Sequence, residues 1–279
     1  MIAYCSSEEL GVLRRKLDTA WIHAGAGAHA TVAISLGLLG YREQALDHVR
    51  QAVELARELG RDEVISHAAG AVAMVHIQFR DFAQALPWTQ DARQRAARAG
   101  IATFLLTSTA HEGLSRAHLG ESQEGITMVR DSLAQFEARG HRSFLPGIYW
   151  YLADCYLVGG KAQEALEAAE SGLCISAELG QRVCVAPMHL ICGQALLLLD
   201  PTEAARAEAA MWDALDAARR QRSRLYELQS SVALARLWQG QGKVAEARAL
   251  LQPVYEWFTE GFDMPDLVEA RTLLAELAT

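Results

Sequence analysis

Leu, Val, Ala and aromatic residues recur three or four positions apart along nearly the whole chain, interrupted by short polar breaks carrying glycine, and this spacing predicts helices throughout. The breaks are periodic. The small residue that opens the second helix of each pair falls at Ala45, Ala85, Gly125, Ala165, Ala207 and Ala247, giving intervals of 40, 40, 40, 42 and 40 residues. Twelve positions earlier stand Ala33, Ala73, Gly113, Ala153, Ala195 and Ala235; seven positions later stand Ala52, Ala92, Ser132, Gly172, Ala214 and Val254. Small side chains in that register let two antiparallel helices approach closely while Leu, Val and Phe fill the remaining gap. The unit is a helical hairpin used six times, and stacking such units predicts an all-α solenoid.

The expected repeats are about 21–60, 61–100, 101–140, 141–180, 181–222 and 223–260, all within one domain spanning 1–279. A partial repeat is expected over 7–20, with Ser6 or Ser7 as cap and Leu10, Leu13 and Leu17 as its apolar stripe. Four repeats close on a glycine, at Gly60, Gly100, Gly140 and Gly180, which supplies a positive φ without steric cost. Repeat five carries its two extra residues between the helices at Leu199-Asp200-Pro201-Thr202, where Asp200 or Thr202 is the expected cap. Pro253 is expected to bend or interrupt the last hairpin helix. A final amphipathic helix over 263–277, with Leu267, Leu273, Leu274 and Leu277 as its seam and an acidic start that helps cap it, is expected to cover the end of the array.

Composition narrows the chemistry. The formal charge is −8 with basic residues dispersed among acidic ones, which argues against a nucleic-acid footprint. The one basic cluster, Arg219, Arg220, Arg222 and Arg224, reads as a solvated helix C-terminus. The apolar stretch 21–40 is broken by His23, His29, Thr31 and Ser35, so a soluble helix is expected there and not a membrane span; with no export signal read at the N-terminus, the cytoplasm is the expected compartment. Cys5, Cys155, Cys174, Cys184 and Cys192 lack CxxC spacing, and none of the nine histidines lies in a ligand motif. No metal or cofactor is expected. Val158-Gly159-Gly160-Lys161 lacks both the leading glycine and the following Ser or Thr of a phosphate-binding loop.

The phrases Gly40-Tyr41-Arg42-Glu43-Gln44-Ala45-Leu46 and Leu234-Ala235-Arg236-Leu237-Trp238, and above all residues 231–270, resemble tetratricopeptide-type repeats of a 40-residue variant. That variant is found in the C-terminal portions of bacterial adenylate or guanylate cyclases coupled to an ATPase module, and of large ATP-dependent transcriptional activators. The similarity covers about residues 22–277. It implies a right-handed superhelical solenoid of tetratricopeptide-like hairpins, serving as a non-catalytic interaction or signal-receiving scaffold, either alone or as a regulatory fragment of a cyclase or transcriptional regulator. No cyclase segment, ATPase loop or basic helix-turn-helix is present in the chain to carry those families' other activities.

In that register the earlier helices line a concave face that binds a peptide, a protein segment or a small effector. Positions one later or three earlier than the packing residue are expected to face it, namely Ala30, Ile34, His67, Gly70, Met74, Ala110, Leu114, Trp150, Asp154, Cys192, Leu196, Val232 and Arg236. Candidate contacts are His67, Met74, Leu114, Trp150, Asp154 and Arg236, with Trp150 and Asp154 stacked at i,i+4 as anchor and acceptor. So apolar a face implies a hydrophobic ligand or an array coiled tightly enough to close its own channel. The enzymatic alternative uses His67, His111 and Glu112 as acid–base groups, or Asp154 with Cys155, and requires the two histidines to share a pocket. At the N-terminal end, Ile2, Tyr4, Val12 and Trp21 are expected to expose apolar surface for self-association.

Overall fold

A computed structural model describes residues 24–278. The helix expected over 7–20, and the apolar N-terminal residues up to Trp21, lie outside the described residues. Those described form thirteen α-helices and no strand. In chain order they are α1 (24–39), α2 (Arg42–Leu59), α3 (Asp62–Gln78), α4 (Phe82–Ala99), α5 (Ala102–His118), α6 (Ser122–Ala138), α7 (Leu145–Val158), α8 (Ala162–Leu179), α9 (Val185–Leu199), α10 (Ala204–Gln221), α11 (Arg224–Gly240), α12 (Val244–Glu256) and α13 (Pro265–Glu276). Consecutive helices pack as hairpins, and the odd-numbered ones from α3 to α11 also touch one another in series. They form the inner layer of a tetratricopeptide-like solenoid; the even-numbered helices form the outer layer.

The small-residue register is the hinge of this packing. Ala33, Ala73, Ala153, Ala195 and Ala235 on inner helices, and Ala45, Ala85, Ala165, Ala207 and Ala247 on outer ones, have no exposed surface. In the third hairpin both positions are glycine, and α5 and α6 come closer still: a methyl group at Gly113 would lie 2.8 Å from the Gly125 carbonyl oxygen and 2.9 Å from Val129 Cγ2. The turns repeat as well. Gly40, Gly120 and Gly160 have φ of 91°, 99° and 71°, and Arg80, at the same place in the second hairpin, takes 56°. A side chain in this left-handed region costs about 1–2 kcal/mol. Arg222 makes the same substitution at the close of α10, with φ 57°.

Three local expectations are modified. Asp200 accepts hydrogen bonds from the Thr202 amide and hydroxyl, so it caps a 3₁₀ turn, Pro201–Glu203, that precedes α10. Helix α12 runs through Pro253 and stops only at Glu256. No side chain caps α13; Asp266 in its first turn is drawn away by partners in other repeats. Its seam is as expected, with Leu267, Leu273 and Leu277 buried and Leu274 packed beside them.

Curvature brings the beginning of the array onto its end. Ser223 Oγ donates to the Leu38 carbonyl at 2.9 Å across 185 residues, Arg42 lies 3.6 Å from Asp263, and Tyr41 packs on Trp257 with ring centres 5.5 Å apart. Gly40 is seated against Phe258 so closely that a methyl group there would meet the ring at 2.8 Å. Ala26, Ala30 and Ala33 of α1 share one apolar core with Leu225 and Leu228 of α11, Leu251 and Val254 of α12, and Leu267 of α13. Helix α13 therefore does more than cover the last repeat. It packs on α11 and α12 while its first turn and the segment before it meet the turns of the first two hairpins.

Candidate functional site

Closure leaves a half-open cavity of about 550 Å³ lined by the C-terminal ends of α3 and α5, the lengths of α7, α9 and α11, and the start of α13. Its floor is apolar, with Ile77, Leu157, Leu190, Ile191 and Val232 among the lining residues, and its aromatic surface comes from Phe82, Trp150 and Tyr226. The Trp150 and Tyr226 rings meet edge to face at 6.3 Å. Into this cavity project Gln78, Arg80, His118, Asp154, Gln194, Gln229, Arg236, Asp266 and Glu269. Ligand sites are usually concave and combine apolar walls with convergent polar groups, and this one is richer than most in the polar kind.

Those polar groups hold one another in place. Asp266, 3% exposed, accepts from Arg80 Nη1 at 3.3 Å and from Gln229 Nε2 at 2.8 Å. Burial pushes its carboxyl above the usual value, while Arg80 and Gln229 pull against that shift. Burial, the largest single influence, would lower the Arg80 guanidinium; the charge and hydrogen bond of Asp266 together with the charges of Asp154 and Glu269 outweigh it and raise the group above its usual value. His118 lies flat on Phe82, ring centres 3.8 Å apart, and its Nε2 is 3.1 Å from Asp154 Oδ2. Arg236 is bound to Glu276 and lies 4.0 Å from Glu269. Gln78 donates to the Ile34 carbonyl at 3.2 Å and packs on Gly37, where a side chain would collide with it.

Of the sequence-derived candidates, Trp150, Asp154 and Arg236 line the cavity together. Met74 is half-buried and packs with Tyr151, whose hydroxyl is 3.9 Å from its sulfur. Leu114 is 1% exposed, inside the layer between helices. His67 is on an exposed surface, stacked on Phe104 at 5.4 Å. Val232 also lines the cavity at its expected offset, and on α3, α5 and α7 the lining extends one helical turn beyond the expected positions, with Ile77, Gln78, His118, Leu157 and Val158 four or five residues after the packing position. Close approach of the inner helices buries Ala30, Ala110, Leu114, Cys192 and Leu196 instead. Arg80 had a readable signal, as the one non-glycine among the turn positions 40, 80, 120 and 160; Asp266 and Tyr226 had none.

The acid–base alternative does not assemble. His111 is buried against Tyr151, its Nε2 3.1 Å from the hydroxyl, and burial lowers its pKa to about 4, whereas His67 is exposed on another surface. Glu112, 1% exposed, is engaged by Arg93 at 2.6 Å and Arg116 at 3.1 Å. Burial, followed by the charge of Asp154, holds the Cys155 thiol well above its usual pKa, the opposite of an activated nucleophile. Among the described residues no group of three or more His, Cys, Asp or Glu side chains is arranged to hold a metal ion, and no helix is long and apolar enough to cross a membrane.

Fold and cavity together define a tetratricopeptide-like helical-repeat protein. No family profile matches the chain, and no curated protein matches it either. Solved structures do share its fold. A Rap protein complexed with competence and sporulation factor superposes with a TM-score of 0.64 at 12% identity, over 90% of this chain and 74% of that one. NprR in complex with its cognate peptide NprX gives 0.64 at 13% identity, over 97% and 77%. Aspartyl phosphate phosphatase F from Bacillus subtilis gives 0.59 at 16% identity, covering 84% of this chain, which spans 60% of that protein's length.

Proposed function

We propose that this chain is a peptide-binding, signal-receiving scaffold whose ligand occupies the cavity ringed by α3, α5, α7, α9, α11 and α13. The observation that carries the reading is the cavity itself: about 550 Å³ of space with mixed apolar and polar lining, in which Trp150, Asp154 and Arg236 meet polar groups from the end of α3 and from α5, α9 and α13. One solved structure of the same fold holds its cognate peptide, NprX, and another holds competence and sporulation factor, and this supports a peptide-binding use here. Similarity of residues 231–270 to the terminal segment of bacterial cyclase–ATPase regulators and transcriptional activators supports a place as the sensing part of such a regulator. Met74 would act indirectly, by supporting Tyr151 behind Trp150.

Panning a phage-displayed random heptapeptide library on the immobilised chain tests the reading. Binders are expected whose affinity falls at least tenfold for Trp150→Ala with an unchanged far-UV circular dichroism spectrum. Binders indifferent to that substitution would put recognition outside the cavity and refute the assignment.

A further inference from the structure

The charges in the cavity are unequal. Asp154, Asp266 and Glu269 face the guanidinium groups of Arg80 and Arg236 and the imidazole of His118, and Arg236 is shared with a fourth carboxylate, Glu276. Asp266 is saturated by Arg80 and Gln229. Asp154 is bonded through Oδ2 to His118, on a side chain 22% exposed. Trp150 stands one helical turn before it on the same face of α7, held in edge-to-face contact by Tyr226. A carboxylate or phosphate entering here would meet an excess of carboxylates in a partly shielded cleft, whereas a cation would offset them and pack on the half-buried Trp150 ring.

We infer that the ligand of this cavity carries a positively charged group, ammonium or guanidinium, on an apolar body, and that Asp154 is the residue that receives the charge. This rests on the cavity being the binding site, and it adds the ligand's chemistry: a short peptide with Lys or Arg beside apolar residues. Arg80 and Arg236 are part of the frame that fixes the carboxylates, and the basic side chain enters between Asp154 and Trp150. The apolar neighbours of that residue cover Leu157, Leu190 and Ile191.

The heptapeptides selected on the immobilised chain are sequenced, resynthesised and measured by calorimetry. Enrichment of Lys or Arg is expected. Replacing that residue by citrulline or norleucine should weaken binding at least tenfold, Asp154→Asn should do the same, and the two changes together should cost little more than either alone, because each removes the same pair. The peptide-side replacement needs no altered protein, so a poorly folded Asp154→Asn variant leaves the test intact. A small-molecule arm uses agmatine, spermidine and phenethylamine; heat from these that Asp154→Asn abolishes, without any peptide binder, keeps the cationic site and removes the peptide. Binders free of basic groups, or a charged binder indifferent to citrulline, overturn the inference while leaving the cavity as the binding site. Absence of any binder in both arms overturns the site and the inference together.

Discussion

Arg80→Gly sets two structural effects against each other, and their sum is calculable. Arg80 holds φ 56° where the equivalent turns carry glycine, so the substitution relieves about 1 kcal/mol of backbone cost after allowing for the greater chain entropy of glycine. It also removes the cation from a carboxylate that is 3% exposed. Breaking a wholly buried pair costs about 3–5 kcal/mol; the Arg80 side chain is 47% exposed and Gln229 still donates, so about 2–3 kcal/mol applies here. A net loss of about 1–2 kcal/mol near pH 7 is expected. Its pH dependence identifies the cause. Because burial raises the Asp266 carboxyl, the native state holds that proton more tightly than the unfolded chain, and the stability from this group is lost as pH rises through its native pKa. Without Arg80 that pKa rises further, so the deficit widens toward pH 7 and shrinks toward pH 4, where only the backbone gain remains. Urea titrations followed by far-UV circular dichroism and by tryptophan emission, over a pH series and in an Asp266→Asn background, measure it; coincidence of the two probes establishes that one transition is being read. A variant as stable as the parent at pH 7, or a deficit that neither pH nor Asp266→Asn alters, would refute the account.

Two further outcomes follow from the core. His111, buried with its pKa lowered to about 4 from 6.5, stays uncharged in the native state while the unfolded chain takes up a proton. Stability from this residue is therefore lost as pH falls through that window, by about 2 kcal/mol between pH 7 and pH 5, and His111→Gln should flatten that part of the urea-midpoint profile; a profile unchanged by the substitution would contradict the assignment. Gly113→Ala drives a methyl group against the Gly125 carbonyl and should destabilise by about 1–3 kcal/mol despite its better helix propensity. Gly70→Ala, with nothing within 4 Å of the new methyl, should stabilise by up to about 1 kcal/mol, and equal effects at the two sites would count against the close approach of α5 and α6.

What the chain states by itself is whatever a single hairpin contains. Helix periodicity, the closing glycines and the small residues at Ala33, Ala45 and their equivalents depend on neighbours within about forty positions, and each could be placed from residue identity. Trp150 and Asp154 were legible for the same reason, being one turn apart on an inner helix of known register. Arg80 stood out only as a break in the turn pattern. Its partner Asp266 lies 186 residues away, and Leu38 meets Ser223 across 185. Those pairings are created by curvature, which accumulates from small rotations between successive repeats that no one repeat discloses. The same accumulation decides which side chains reach the cavity. Leu114 and His111 are sealed between layers, whereas Gln78, His118 and Val158 line the cavity. Local sequence determined the helices and their pairing, and the sum of their packing angles determined that the first turn would seat on the segment between α12 and α13, the second on α13 itself, and that a half-open site would form inside the curve.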